Sequence, residues 1–169
     1  MSETAPDIYA DYMKSLVDAE VARKTSLEQR GVAVVTTSGT LVTLLFGLIG
    51  VITAAKNLSF PTAAHGYLVA AVILFAIAVG VGLAANLPFF YEEAEPTANQ
   101  LSAIWDYTEP GAQAFVIATR LKILSSYRHA NAFKGWLVLG GGLVQLAAVV
   151  MLVLAILSII GKNPSPVNQ

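Results

Sequence analysis

Residues 31–55 read GVAVVTTSGTLVTLLFGLIGVITAA, twenty-five positions without a charge. As a helix they extend about 37 Å, enough to cross a hydrocarbon core of about 30 Å with some tilt. Ala33, Thr36, Thr40, Thr43, Gly47, Gly50 and Ala54 recur in alternating three- and four-residue steps, so seven small residues share one stripe. Contact with lipid requires no such stripe, whereas close helix–helix packing in a membrane does. The stretch therefore predicts a packed transmembrane helix, whose neighbours the rest of the chain should supply.

The composition agrees. Of 169 residues, 56% are hydrophobic and 12% charged, against about a quarter charged in soluble domains. The mean hydropathy is +0.65. The length suits one domain, 1–169, and the composition makes it an integral membrane domain. A net charge of −1 with no strongly basic block gives no argument for nucleic acid, and none is expected as a partner. The absence of cysteine excludes disulfides, thiolate zinc sites and thiol catalysis. The first thirty residues are polar, and the apolar run after them is too long for a signal-peptide core, so the first helix is expected to be retained.

Outward from that stretch, residues 7–30 predict an amphipathic helix. Ile8, Tyr9, Tyr12, Met13, Leu16, Val17 and Val21 supply its apolar face, and Lys14, Asp18, Arg23, Lys24 and Glu28 its polar side. Gly31 is the expected hinge into span one, residues 31–55. A short link, residues 56–65, contains Pro61, which suits a turn. Span two follows at 66–91, with small residues Ala71, Ala78, Gly82 and Ala85 near helical spacing. Asn86 and Pro88 mark a kink or an unwound turn near its end, and Phe89, Phe90 and Tyr91 resemble an interfacial aromatic belt.

Residues 97–134 predict further polar helices. Thr97 caps a short one carrying Leu101, Ile104 and Trp105, and Glu109-Pro110-Gly111 signals a turn. Ala114, Ile117, Leu121 and Leu124 then form the apolar face of a helix running into span three, 135–161, which contains Gly141 and Gln145. Residues 162–169 read as a disordered tail. Lys14, Arg23, Lys24, Arg30, Arg120, Lys122, Arg128 and Lys134 fall on one side of the three spans, and only Lys56 and Lys162 on the other. The positive-inside rule then predicts a cytoplasmic amino terminus and an outer carboxyl terminus. The fold class expected is all-α, three transmembrane helices with amphipathic cytoplasmic helical extensions.

No arrangement of side chains predicts catalysis, a metal or a cofactor. His65 and His129 have no second ligand at metal spacing, and Glu92, Glu93 and Glu95 read as a solvated loop. Gly140–Gly142 lies in an apolar segment and follows no strand, so it is not a phosphate loop. At membrane depth the polar groups are Thr36, Thr37, Ser38, Thr40, Thr43, Asn86 and Gln145. Hydroxyls there bond their own backbone or a neighbouring helix for about 0.6 kcal/mol each, or they line a water-filled path in an oligomer. The stripe from Ala33 to Ala54, with Gly141 and Gln145, is the candidate packing and oligomerisation surface. Arg23, Lys24, Arg30, Arg120, Lys122, Arg128 and Lys134 are candidate contacts for lipid phosphates or for an anionic ligand such as a nucleotide.

Two segments carry a family resemblance. One is AEVARKTSLEQRGVAVVTTSGTLVTLLFGLIGV, residues 19–51; the other is YRHANAFKGWLVLGGGLVQLAAVVMLVLAI, residues 127–156. A polar helix, two spans, a cytoplasmic helical loop, Asn-x-x-Lys and a final span resemble the small transmembrane effectors of bacterial cyclic-nucleotide defence, the Pycsar type. The order is also similar to the related two-span effector modules. Lys24, Asn131 and Lys134 match the family's polar positions beside the spans. The resemblance implies antiviral defence, in which a cyclic pyrimidine nucleotide triggers assembly of the effector and loss of inner-membrane integrity. The chain departs from a complete effector in having no separate cyclic-nucleotide-binding domain. Sensing then falls to its cytoplasmic helices or to a sensor protein, or the likeness is to the membrane part alone. The expected partners are thus the lipid bilayer, further copies of the chain, and a cyclic nucleotide or its sensor. The alternatives are a membrane anchor recruiting a cytoplasmic partner, as in plasmid transfer or phage exclusion, and a small oligomeric channel.

Overall fold

The computed structural model describes residues 5–54, 61–88, 91, 102, 105 and 107–162. Three helices make up nearly all of it: α1 (Ala5–Ala54), α2 (Thr62–Asn86) and α3 (Glu109–Lys162). All three are long and apolar enough to cross a membrane. The short helix expected after Thr97 falls mostly outside the described residues, as do Phe89, Phe90 and the tail beyond Lys162.

The helices run longer than their apolar segments, because nothing in the sequence stops them. α1 passes through Gly31 without a break, so the expected hinge is absent. A single glycine costs a helix only about 1 kcal/mol against alanine, and here packing offsets that. At the other end, Glu109-Pro110-Gly111 is not a turn between helices but the first turn of α3. Proline is tolerated there because the first amide groups of a helix have no intrahelical acceptor. The Ala112 amide donates to the Thr108 carbonyl at 3.0 Å and closes that turn. α2 starts at Thr62, four residues earlier than expected, and ends at Asn86, where the Asn86 amide donates back to the Gly82 carbonyl at 2.9 Å. Tyr91 therefore lies outside the helix.

Each helix turns one seam inward with steps of three and four residues, the spacing used by left-handed coiled coils. On α2 the seam is Ala64, Leu68, Ala71, Phe75, Ala78, Gly82 and Ala85, all buried. On α1 it is Ala10, Met13, Val17, Glu20, Lys24, Leu27, Gly31, Val34, Ser38, Leu41 and Leu45, each buried or half-buried. On α3 it runs from Gln113 through Leu124, Asn131, Lys134, Gly141 and Ala148 to Ile159.

The chain divides into two compact units. The first comprises Met1–Glu28 and Pro88–Gly135. In it the amino-terminal parts of α1 and α3 lie parallel, since contacts pair Asp7 with Gln113, Ala10 with Arg120, Glu20 with Asn131 and Glu28 with Lys134. Of the apolar face expected on α1, Met13 is buried and Leu16 and Val17 are half-buried, whereas Ile8, Tyr9, Tyr12 and Val21 are exposed. Ala114 and Leu121 are likewise exposed, and α3 turns Ile117 and Leu124 inward.

The second unit comprises Gln29–Leu87 and Trp136–Gln169. Here α2 runs antiparallel to α1. A Cβ on Gly31 would lie 3.0 Å from the Gly82 carbonyl oxygen, and one on Gly82 would lie 3.0 Å from the Gly31 carbonyl oxygen and 2.9 Å from Val35 Cγ2. The two backbones touch at that point, which only glycine permits on both sides. Farther along, Phe75 is fully enclosed with Leu45, Leu68, Ala71, Ala148 and Ala155. The alanines give α2 and α3 room beside the aromatic ring. The outward surface is apolar, with Leu44, Phe46, Val51, Leu143, Leu146 and Leu157 exposed.

Candidate functional site

In the first unit the inward seam stops being apolar. α1 contributes Glu20 and Lys24, with Glu28 one turn further; α3 contributes Tyr127, Asn131 and Lys134. Tyr91, from the segment after α2, completes the group through contacts with Lys24, Tyr127 and Lys134.

Lys134 is 0% exposed. An ammonium group removed from water costs several kcal/mol unless it is paired, and here Nζ donates to Glu28 Oε1 at 2.5 Å. The same ammonium lies 5.6 Å from the Tyr91 ring centroid, and Lys24 Nζ lies 4.2 Å from it. Both distances fall within the reach of cation–π attraction. The Tyr91 ring also packs against Tyr127, with centroids 4.7 Å apart and planes inclined by 32°.

Asn131 is also 0% exposed. Its Nδ2 donates to the Glu20 carbonyl at 2.8 Å and to Glu20 Oε2 at 2.9 Å. Both partners are acceptors, which determines which end of the amide faces them. Glu20 Oε1 stands 3.7 Å from both Arg128 Nε and Arg23 Nη1. Among the described residues, two buried atoms of the cluster find no hydrogen-bond partner: Asn131 Oδ1 and the Tyr91 hydroxyl. A buried polar atom in that condition costs about 1–3 kcal/mol, so the cluster can take one donor at Asn131 and a donor or acceptor at Tyr91.

The seven candidate cations thus separate. Lys134 and Lys24 belong to the node. Arg120 is half-buried and donates to the Ala10 carbonyl at 2.5 Å, joining the two helices farther along. Arg23 and Arg128 lie at the rim beside Glu20, and Arg30 and Lys122 are exposed. Lys134 in particular is closed off by burial and directs its charge to Glu28, not outward to lipid phosphate.

The small-residue stripe has a different fate. Ala33, Thr36, Thr40, Thr43, Gly47, Gly50 and Ala54 are all exposed, on the side of α1 opposite its inward seam. The expectation that the chain itself supplies their neighbours is corrected for the described residues: none of their side chains comes within reach of a Cβ at Gly47 or Gly50. Thr40 and Thr43 donate to the carbonyls of Thr36 and Gly39, each at 3.0 Å. Gly141 is buried, with its Cβ position 3.4 Å from Val81 Cγ1 and 3.6 Å from Val34 Cγ1, and Gln145 is half-buried.

Lys24, Asn131 and Lys134, singled out by resemblance, converge in one cluster. Glu20, Glu28, Tyr91 and Tyr127 were not among the sequence candidates. The available signal was the three-and-four stepping, which carries the seam of α1 through Glu20 and Lys24 and that of α3 through Tyr127, Asn131 and Lys134. Set against protein-family models, curated proteins and solved structures, the chain finds no match.

Proposed function

We propose that the chain is a membrane effector that self-assembles through the outward face of α1 and impairs membrane integrity on a nucleotide signal. In this reading α1, α2 and α3 each cross a bacterial inner membrane with the amino terminus inside, and the polar first unit stands in the cytoplasm. The observation that carries the reading is the seven-residue stripe turned away from the chain's own bundle. Between helices in lipid there is no hydrophobic driving force, and small residues favour association by letting backbones approach. Threonines already bonded to their own helix can sit in that contact without an unmet donor. The likeness to Pycsar-type effectors supplies the trigger, a cyclic pyrimidine nucleotide acting on the first unit or on a sensor that binds it.

The test is dye entry into bacteria expressing the chain, with and without added cyclic pyrimidine nucleotide. Gly47→Leu combined with Gly50→Leu should insert and stay helical, since none of the described residues occupies that space, yet lose both oligomer and dye entry. Unchanged oligomer size in detergent together with undiminished dye entry would refute assembly through this face.

A second reading, an anchor that recruits a cytoplasmic partner, is favoured by the exposure of Ile8, Tyr9 and Tyr12 at the start of α1. Intact membranes in both arms of the dye experiment would select it.

A further inference from the structure

In the second unit the α1 and α2 backbones meet at Gly31 and Gly82, and toward the end of α1 Leu45 packs with Leu68 and Phe75 of α2. Beside that packing lies an open groove of about 380 Å³, walled by Phe46 and Ile49 of α1 and by Leu68, Val69, Val72 and Ile73 of α2. Along α2 it extends from Ile73 to His65, about 12 Å at the helical rise.

Among the described residues that line this groove, the polar ones, Thr53 and His65, stand at one end. Thr53 lies there, but its hydroxyl already donates to the Ile49 and Gly50 carbonyls at 2.9 and 3.0 Å. His65 is exposed at the same end, with an imidazole that donates an N–H in either protonation state. It sits in the first turn of α2, where Pro61 provides no side-chain cap and no residue is acidic, so the helix itself does not offset the partial positive charge of its first amide groups. Hydrocarbon walls and an electropositive, hydrogen-bond-donating mouth are complementary to an amphiphile with an anionic head.

We infer that the groove seats one acyl chain of a membrane phospholipid, with the headgroup phosphate at His65 and the first turn of α2. The inference rests on the membrane-spanning reading. Its test uses the purified full chain in phosphatidylglycerol vesicles that carry a trace of phosphatidylglycerol with a mid-chain diazirine. After illumination, peptides containing Ile49, Val69 and Val72 should be labelled several-fold above those containing Leu143 and Leu146, which face outward elsewhere on the unit. Val69→Trp and Ile73→Trp, at half-exposed positions that tolerate a larger side chain, should each lower groove labelling several-fold and leave α3 labelling unchanged. His65→Ala should lower labelling by the anionic lipid more than by its phosphatidylcholine counterpart.

Equal labelling of groove and α3 would overturn the inference while leaving the spans in the membrane. Label on α3 with none in the groove would overturn it in favour of a protein occupant such as a second copy. A chain that neither floats with the vesicles nor takes label anywhere would overturn the membrane reading as well.

Discussion

Replacing Glu28 with glutamine removes a charge while keeping the shape and one hydrogen-bond acceptor. Its partner Lys134 is 0% exposed, whereas the Glu28 side chain is 33% exposed. That asymmetry determines the expected energies. Stranding a buried ammonium without its counter-charge costs about 3 kcal/mol, the low end of the range because the Tyr91 ring stays beside it. Lys134→Met leaves the carboxylate behind instead, and water can reach it, so the cost should be about 1 kcal/mol. The double variant strands no charge and should also cost about 1 kcal/mol, not the roughly 4 kcal/mol expected of independent sites. The assay is equilibrium unfolding in mild detergent, followed by far-ultraviolet circular dichroism for the parent and the three variants. Additive losses, or a larger loss for Lys134→Met than for Glu28→Gln, would refute the account of the node.

Two further outcomes follow from the packing. Gly82→Val should destabilise the second unit by about 1–3 kcal/mol through overpacking against Val35 and the Gly31 carbonyl, whereas Gly39→Ala, which meets nothing, should be neutral or slightly stabilising in the same melt. Asn131→Leu removes two hydrogen bonds to Glu20 and also the orphaned Oδ1. It should therefore cost less than Asn131→Asp, which brings a second carboxylate up to Glu20, and thermal melting of the two variants checks the order.

Much of the candidate site was hidden because its logic is non-local. Lys24 and Glu28 read as a solvated face, the usual place for charges on an isolated helix. What holds Glu28 is Lys134, 106 residues away, while Lys24 lies over the Tyr91 ring and Glu20 beside it accepts from Asn131, 111 residues away. Tyr91 read as part of an aromatic belt because it follows Phe89 and Phe90, yet its ring lies against Lys24 and Tyr127. Glu109-Pro110-Gly111 has the composition of a turn, and the same three residues are equally compatible with a helix's first turn.

Length and local composition alone determined three long apolar helices, since uncharged runs of about twenty-five residues with no internal proline are far longer than a strand and contain nothing that breaks a helix. They also determined the small-residue seam of α2, where Ala71, Ala78, Gly82 and Ala85 are indeed buried. Which side of α1 faces inward was decided by tertiary structure. Gly31, Val34, Ser38, Leu41 and Leu45 repeat with the same steps as Ala33, Thr36, Thr40, Thr43 and Gly47, and both stripes are uncharged. Periodicity cannot choose between two such faces. The choice comes from a partner on α2: a glycine that lets the Gly31 backbone come into contact, and a phenylalanine that fills the space beside Leu45.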